Sequence, residues 1–187
     1  MLARFVESRI AAAESVMGVN QDWLRDLFRA SPAGFRKLSR FLPLASYRKA
    51  ASRDAMAVAR LVGALSEDCA SCVQITVNLA LGEGVDPAIL RAVLDDRPGD
   101  LAPDLAEVMA YAKAVAYRGD DVLERIEVVR ARFGEAALYE LALGIASARL
   151  FPVAKRGTGH AVSCSRVTLD LPGERERSPV RMEVAHG

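Results

Sequence analysis

The sequence predicts an all-α fold, on three observations. Apolar residues make up 51% of the chain and aromatics only 6%, and the apolar mass is mostly Ala, Leu and Val. That mixture suits close-packed helices rather than a sandwich rich in aromatics and Thr. Apolar residues recur at three- and four-residue spacing along most of the chain, the period of one helix face. Capping residues, glycines and prolines bound these segments, as helix starts and stops require.

In chain order, Phe5, Val6, Ile10, Ala13 and Met17 mark a helix over 2–17 that Gly18 ends. Asn20 then caps a short helix with Trp23, Leu24, Leu27 and Phe28 on one face. Ser31-Pro32 reads as a cap followed by proline at the first helical position, opening a helix with Phe35, Leu38, Phe41 and Leu42 that Pro43 breaks. A helix over 48–65 turns Val58, Leu61, Val62 and Leu65 inward. The next begins near Cys69, capped by Ser66 or Asp68, and runs through Val77, Leu79 and Leu81 to Gly82 or Gly84. Asp86-Pro87 starts a helix with Ile89, Leu90, Val93 and Leu94. Pro103 opens another with Leu105, Val108, Met109, Ala112 and Val115, and Gly119-Asp120 separates it from one carrying Val122, Ile126, Val129 and Phe133. The last long helix, over 135–155, carries Leu138, Leu141, Ala142, Ile145 and Phe151, and Pro152 is expected to kink or end it because proline lacks an N–H and clashes with the preceding turn.

These elements predict one helical domain over 1–156. Residues 157–187 are richer in Gly, Ser, Pro and charge, with one β-like piece at Val167-Thr168-Leu169. They are expected to form an extended tail packed on the body or on a neighbouring subunit. A length of 187 residues fits one domain of ordinary size. A net charge of +1 gives no reason to expect nucleic acid or an acidic membrane surface as partner. Arg4, Glu7 and Arg9 interrupt any apolar signal region, and no membrane span is expected. The expected location is the cytoplasm, where a Cys-x-x-Cys pair points to catalysis or metal binding rather than to a structural staple.

The chemistry concentrates at Ser66-Glu67-Asp68-Cys69-Ala70-Ser71-Cys72-Val73-Gln74-Ile75-Thr76, which holds two of the three cysteines. Residues three apart share a helix face at roughly 5 Å between Cα atoms, inside the disulfide range of about 4.4–6.8 Å. Cys69 and Cys72 can therefore bond to each other and separate again with little backbone movement. The free N–H groups and the dipole at a helix start favour a thiolate.

Cys69-Ala70-Ser71-Cys72, set between the helix Val58–Leu65 and a run ending Gly84-Val85-Asp86-Pro87, resembles the AhpD-like superfamily. That superfamily comprises alkylhydroperoxidase D and the carboxymuconolactone decarboxylase family. The likeness covers roughly residues 54–95, and Leu141 to Arg156 with Gly157 and His160 resembles the C-terminal half of some members. The resemblance implies an all-α fold that assembles into homo-oligomers and a pair that reduces peroxides without metal or organic cofactor. Cys72 would attack the peroxide and Cys69 would resolve it. A dithiol carrier, a lipoyl protein or a thioredoxin-like protein, would restore the pair. The peroxidase motif has a histidine four residues after the second cysteine, where this chain has Thr76, and a glutamate twelve residues before the first, where it has Ala57. The decarboxylase members work without a redox cysteine pair, so the mechanistic likeness is to the peroxidases.

The missing relay leaves other residues as candidates. Glu67, Asp68 and His160 can take a proton; Arg60 can serve as a cation for the thiolate; Thr76 can donate a hydrogen bond to the Cys72 sulfur. Glu83 lies about 16 Å along the helix from Cys72 at 1.5 Å per residue, too far for a direct base. Two other readings of the cysteines stand beside peroxide reduction. One is a non-enzymatic oligomeric or redox-sensing protein with slow thiols. The other is a zinc site of Cys69, Cys72, His160 and Cys164, a Cys₃His set.

Overall fold

A computed structural model describes residues 2–161. Every regular element among them is helical, so the fold is all-α. The elements are α1 (Leu2–Met17), α2 (Asp22–Ala30), α3 (Pro32–Ser39), α4 (Leu42–Ala45), α5 (Arg53–Leu65), α6 (Ala70–Gly82), α7 (Pro87–Leu94), α8 (Pro103–Tyr117), α9 (Val122–Phe133) and α10 (Glu135–Gly157), with a 3₁₀ turn at Pro98–Asp100. The expected tail and Cys164 lie almost wholly outside the described residues.

The centre of the bundle is α5, which packs on α6, α7, α8 and α10. Met56, Val58, Leu61 and Val62 of α5 are buried with Val73 and Val77 of α6, Leu90 of α7, Val108 of α8 and Leu141 and Ile145 of α10. Small residues let α5 and α10 approach closely. A Cβ built on Gly63 would meet the Ile145 carbonyl oxygen at 2.9 Å, and one on Gly144 would meet Met56 Sδ at 2.5 Å.

Several caps match the sequence. Ser31 Oγ accepts from Gly34 N–H, Asp86 Oδ1 accepts from Ala88 N–H, and Gly18 closes α1 at φ +67°. Other boundaries differ for identifiable reasons. The helix expected over 48–65 begins only at Arg53. Ser52 caps it, and the N–H groups of Lys49, Ala50 and Ala51 all point to the Glu140 carboxylate at 2.8–2.9 Å. The helix expected to carry Phe35 to Leu42 ends at Ser39, and Pro43 sits in the first turn of the short α4.

Pro152 does not end α10, which continues to Gly157. A proline inside a helix costs about 3 kcal/mol. Tertiary contacts on the far side of it offset that cost: Pro152 is buried, and the turn beyond it is anchored by Lys155 to Ser71 and by Arg156 to Glu67. By length and composition α10 is apolar enough to cross a membrane, contrary to expectation. Within the bundle it is a core helix, with Glu140 and Lys155 both buried.

Candidate functional site

The turn between α5 and α6 positions the cysteines. Ser66 is the C-cap of α5 rather than a cap of α6, and its hydroxyl donates to the Gly63 carbonyl at 2.8 Å. Asp68 does not cap α6 either. It adopts a left-handed conformation at φ +49°, which Asp tolerates better than most residues. Its turn places Cys69 itself at the N-cap position, and the Cys69 carbonyl accepts from the N–H groups of Cys72 and Val73 at 2.8 and 2.9 Å. Cys69 and Cys72 are disulfide-bonded with Cα atoms 5.2 Å apart. The bond therefore spans the first turn of α6, where the helix N-terminus favours a thiolate when the bond opens. Both residues are nearly covered, at 4% and 6% exposure.

The C-terminal part of α10 grips this turn. Glu67 is buried and accepts from Arg149 Nε at 2.7 Å and from Arg156 at 2.7 Å; Arg156 also donates to the Glu67 carbonyl at 2.9 Å. Burial pushes the Glu67 carboxyl up, but the hydrogen bonds from Arg156 and Arg149 outweigh it and hold the group below the ordinary carboxylate range. A carboxylate held this way clamps the turn to α10, and both of its oxygens are engaged by arginines.

Next to the clamp, Lys155 Nζ donates to Ser71 Oγ at 2.8 Å, and Ser71 Oγ lies 3.5 Å from Cys69 Sγ. Lys155 is 5% exposed, and burial lowers its affinity for a proton. A buried amine and a hydroxyl thus stand in line with one sulfur of the disulfide.

The other candidates are directed elsewhere. His160 Nε2 lies 3.0 Å from Asp26 Oδ2 and its Nδ1 lies 3.2 Å from Thr158 Oγ1, so it joins the end of α10 to α2. Thr76 Oγ1 donates to the Cys72 carbonyl oxygen at 3.0 Å, not to its sulfur. This is the back-bonding common for Thr inside helices. Arg60 pairs with Glu83 at 3.8 Å, and Glu83 ends α6. That end is about 16 Å from Cys72 and about 21 Å from Cys69 at 1.5 Å per residue, so Arg60 is not the thiolate's cation. For the zinc set, Cys164 lies outside the described residues. Among the described residues no three His, Cys, Asp or Glu side chains gather to hold a metal.

Sequence reasoning missed Ser71, Arg149, Lys155 and Arg156. For Lys155 the signal was there: it continues the inward register of Leu141, Ile145, Ala148 and Pro152, where a lysine must either meet a partner or leave the register. The chain matches no family model, no curated protein and no solved structure.

Proposed function

We propose that this protein is a thiol–disulfide oxidoreductase of the AhpD-like kind. Peroxide oxidises the Cys69/Cys72 pair, and a dithiol such as a lipoyl or thioredoxin-like protein reduces it again. The observation that carries this reading is the disulfide across the first turn of α6, beside a buried amine and a half-buried hydroxyl. In the cycle, the Cys72 thiolate attacks a peroxide oxygen and becomes a sulfenic acid. Cys69 condenses with it, releasing water, and thiol–disulfide exchange with the dithiol restores both thiols. Neither metal nor organic cofactor enters this scheme, nor does nucleic acid or a membrane, and a reducing cytoplasm would supply the dithiol.

The reading extends to a homo-oligomer. Tyr139, Leu143, Leu150 and Val153 are exposed on α10 at four-, seven- and three-residue spacing, which places them on one stripe of the helix. A second copy of the chain is the occupant we propose for that stripe.

The test is peroxide consumption by the protein and its Cys72→Ser and Cys69→Ser variants, with dithiothreitol as reductant. Loss of activity in Cys72→Ser is expected, and in Cys69→Ser, oxidised before dithiothreitol is added, a Cys72 sulfenic acid with no disulfide to position 69. Unchanged steady-state rates in both variants exclude the scheme.

The near-complete covering of both cysteines favours one alternative, a redox-responsive protein without turnover. Thiol titration of the reduced, native protein separates the two. Fast-reacting thiols favour the enzyme, and thiols that react only after denaturation favour the alternative.

A further inference from the structure

We propose that Ser71 and Lys155 carry the proton of Cys69, making it the sulfur that leaves as thiolate on reduction and returns as thiolate on reoxidation. This rests on the oxidoreductase reading above. Ser71 touches the reacting sulfur and is the catalytic member; Lys155 acts through it and is a positioning residue.

The geometry sets the direction of the hydrogen bonds. Lys155 Nζ has only protons to offer when charged, so Ser71 Oγ accepts at 2.8 Å. The Ser71 hydroxyl proton is then free to point to Cys69 Sγ, 3.5 Å away, and a disulfide sulfur carries no proton of its own. The donors therefore run from Lys155 through Ser71 to Cys69. Thr76, in contrast, is spent on the Cys72 carbonyl oxygen. The two sulfurs are chemically distinguished by their surroundings.

On reduction, a thiolate of the external dithiol attacks Cys72 Sγ. A bond forms between the carrier sulfur and Cys72, the Cys69–Cys72 bond breaks, and its electron pair goes to Cys69. Ser71 passes its proton to Cys69 and takes one from the Lys155 ammonium, which becomes a neutral amine. The second carrier thiol, after losing its proton to solvent, attacks the carrier sulfur and releases Cys72 as thiolate. The carrier is oxidised to a disulfide and the protein gains two electrons. On oxidation, the Cys72 thiolate takes the distal peroxide oxygen, the O–O bond breaks, and the leaving alkoxide is protonated by solvent. The neutral Lys155 amine withdraws the Cys69 proton through Ser71. The Cys69 thiolate then attacks the Cys72 sulfenic sulfur; an S–S bond forms, the S–O bond breaks, and the departing hydroxide is protonated to water. Burial favours the neutral amine that this half of the cycle needs.

The test uses the reduced full-length chain and needs neither peroxide turnover nor a carrier. Iodoacetamide labelling of Cys69 and Cys72 is followed separately by peptide mass spectrometry across pH 5–10, in the parent protein, Ser71→Ala and Lys155→Met. In both variants Cys69 is expected to label about tenfold more slowly at neutral pH, with its inflection moved up by about one unit. Cys72 is expected to keep its profile within about twofold, and the double variant to be no worse than either single one, as two members of one path require. An unchanged Cys69 profile in Ser71→Ala overturns the proposal, as does an equal shift of both cysteines. If Lys155→Met does not fold, Ser71→Ala decides alone, since it removes one oxygen from a partly exposed side chain. If peroxide is not consumed but the Cys69 profile shifts as stated, the proton path stands and the peroxidase reading fails.

Discussion

Glu67 and Arg149 meet at 2.7 Å, and this pair fixes the turn that carries the cysteines to the last helix of the bundle. Arg156 closes the same carboxylate from the other side, also at 2.7 Å. Glu67 is 6% exposed, whereas the arginine side chains are 31% and 53% exposed. Water therefore compensates the arginines more readily than the carboxylate.

Glu67→Gln keeps the shape of the side chain and removes its charge. We expect a loss of about 1–3 kcal/mol in unfolding free energy, nearer the lower figure because both arginines reach solvent. A urea melt measures it. The Cys69–Cys72 disulfide should also form more slowly in this variant, because the turn is less tightly held. A melt midpoint equal to that of the parent would mean that the clamp contributes nothing.

Acid should unfold the protein through its buried carboxylates. At Glu140, burial raises the carboxyl, but hydrogen bonds from the Ala51, Lys49 and Ala50 N–H groups outweigh it and hold it below the ordinary 4.5. Glu67 is depressed likewise. A depressed native value means that the unfolded state binds more protons in acid. The stabilisation is therefore complete above the ordinary value and is lost as the pH falls through the native ones. Glu140→Gln should be less stable at neutral pH and lose less on acidification. Unfolding free energies at pH 7 and pH 4 check this, and an equal drop in parent and variant would contradict it.

Gly63 and Gly144 should respond differently to alanine. A methyl on Gly63 meets the Ile145 backbone oxygen at 2.9 Å, which cannot give way without moving α10. A methyl on Gly144 meets the Met56 sulfur, and methionine repacks through three rotatable bonds. Gly63→Ala is expected to lose about 1–3 kcal/mol, even though alanine favours a helix by up to about 1 kcal/mol over glycine. Gly144→Ala should lose less. The reverse order in thermal melts would show that the contact at Gly63 is not the tighter one.

Light scattering tests the assembly. A mass above the 20.2 kDa of one chain is expected, falling toward it in Leu143→Glu, which places a charge in the exposed stripe of α10. A monomeric parent protein would remove the oligomer from the account.

The bundle was legible because helix signals are local. Ser31, Asp86 and Gly18 act where their spacing to the next apolar residues indicated. Boundaries failed where a distant residue intervened. The start of α5 depends on Glu140, some ninety positions away, and Pro152 stays helical because Lys155 and Arg156 are anchored on another element. The site followed the same rule. The three-residue spacing of Cys69 and Cys72 was enough to expect their bond. Lys155 is 84 positions from Ser71, and no local pattern joins the two. The nearby acids and Thr76 drew attention for their proximity in sequence, yet Glu67 is occupied by arginines and Thr76 by its own helix.

The most direct test of the central claim is intact-mass and peptide spectrometry of the fully reduced protein after one equivalent of hydrogen peroxide, and again after an added dithiol. The account predicts the loss of two hydrogens, a peptide cross-linked between Cys69 and Cys72, and recovery of both thiols with the dithiol. Cysteines that stay reduced, or that gain oxygen without cross-linking, would contradict it.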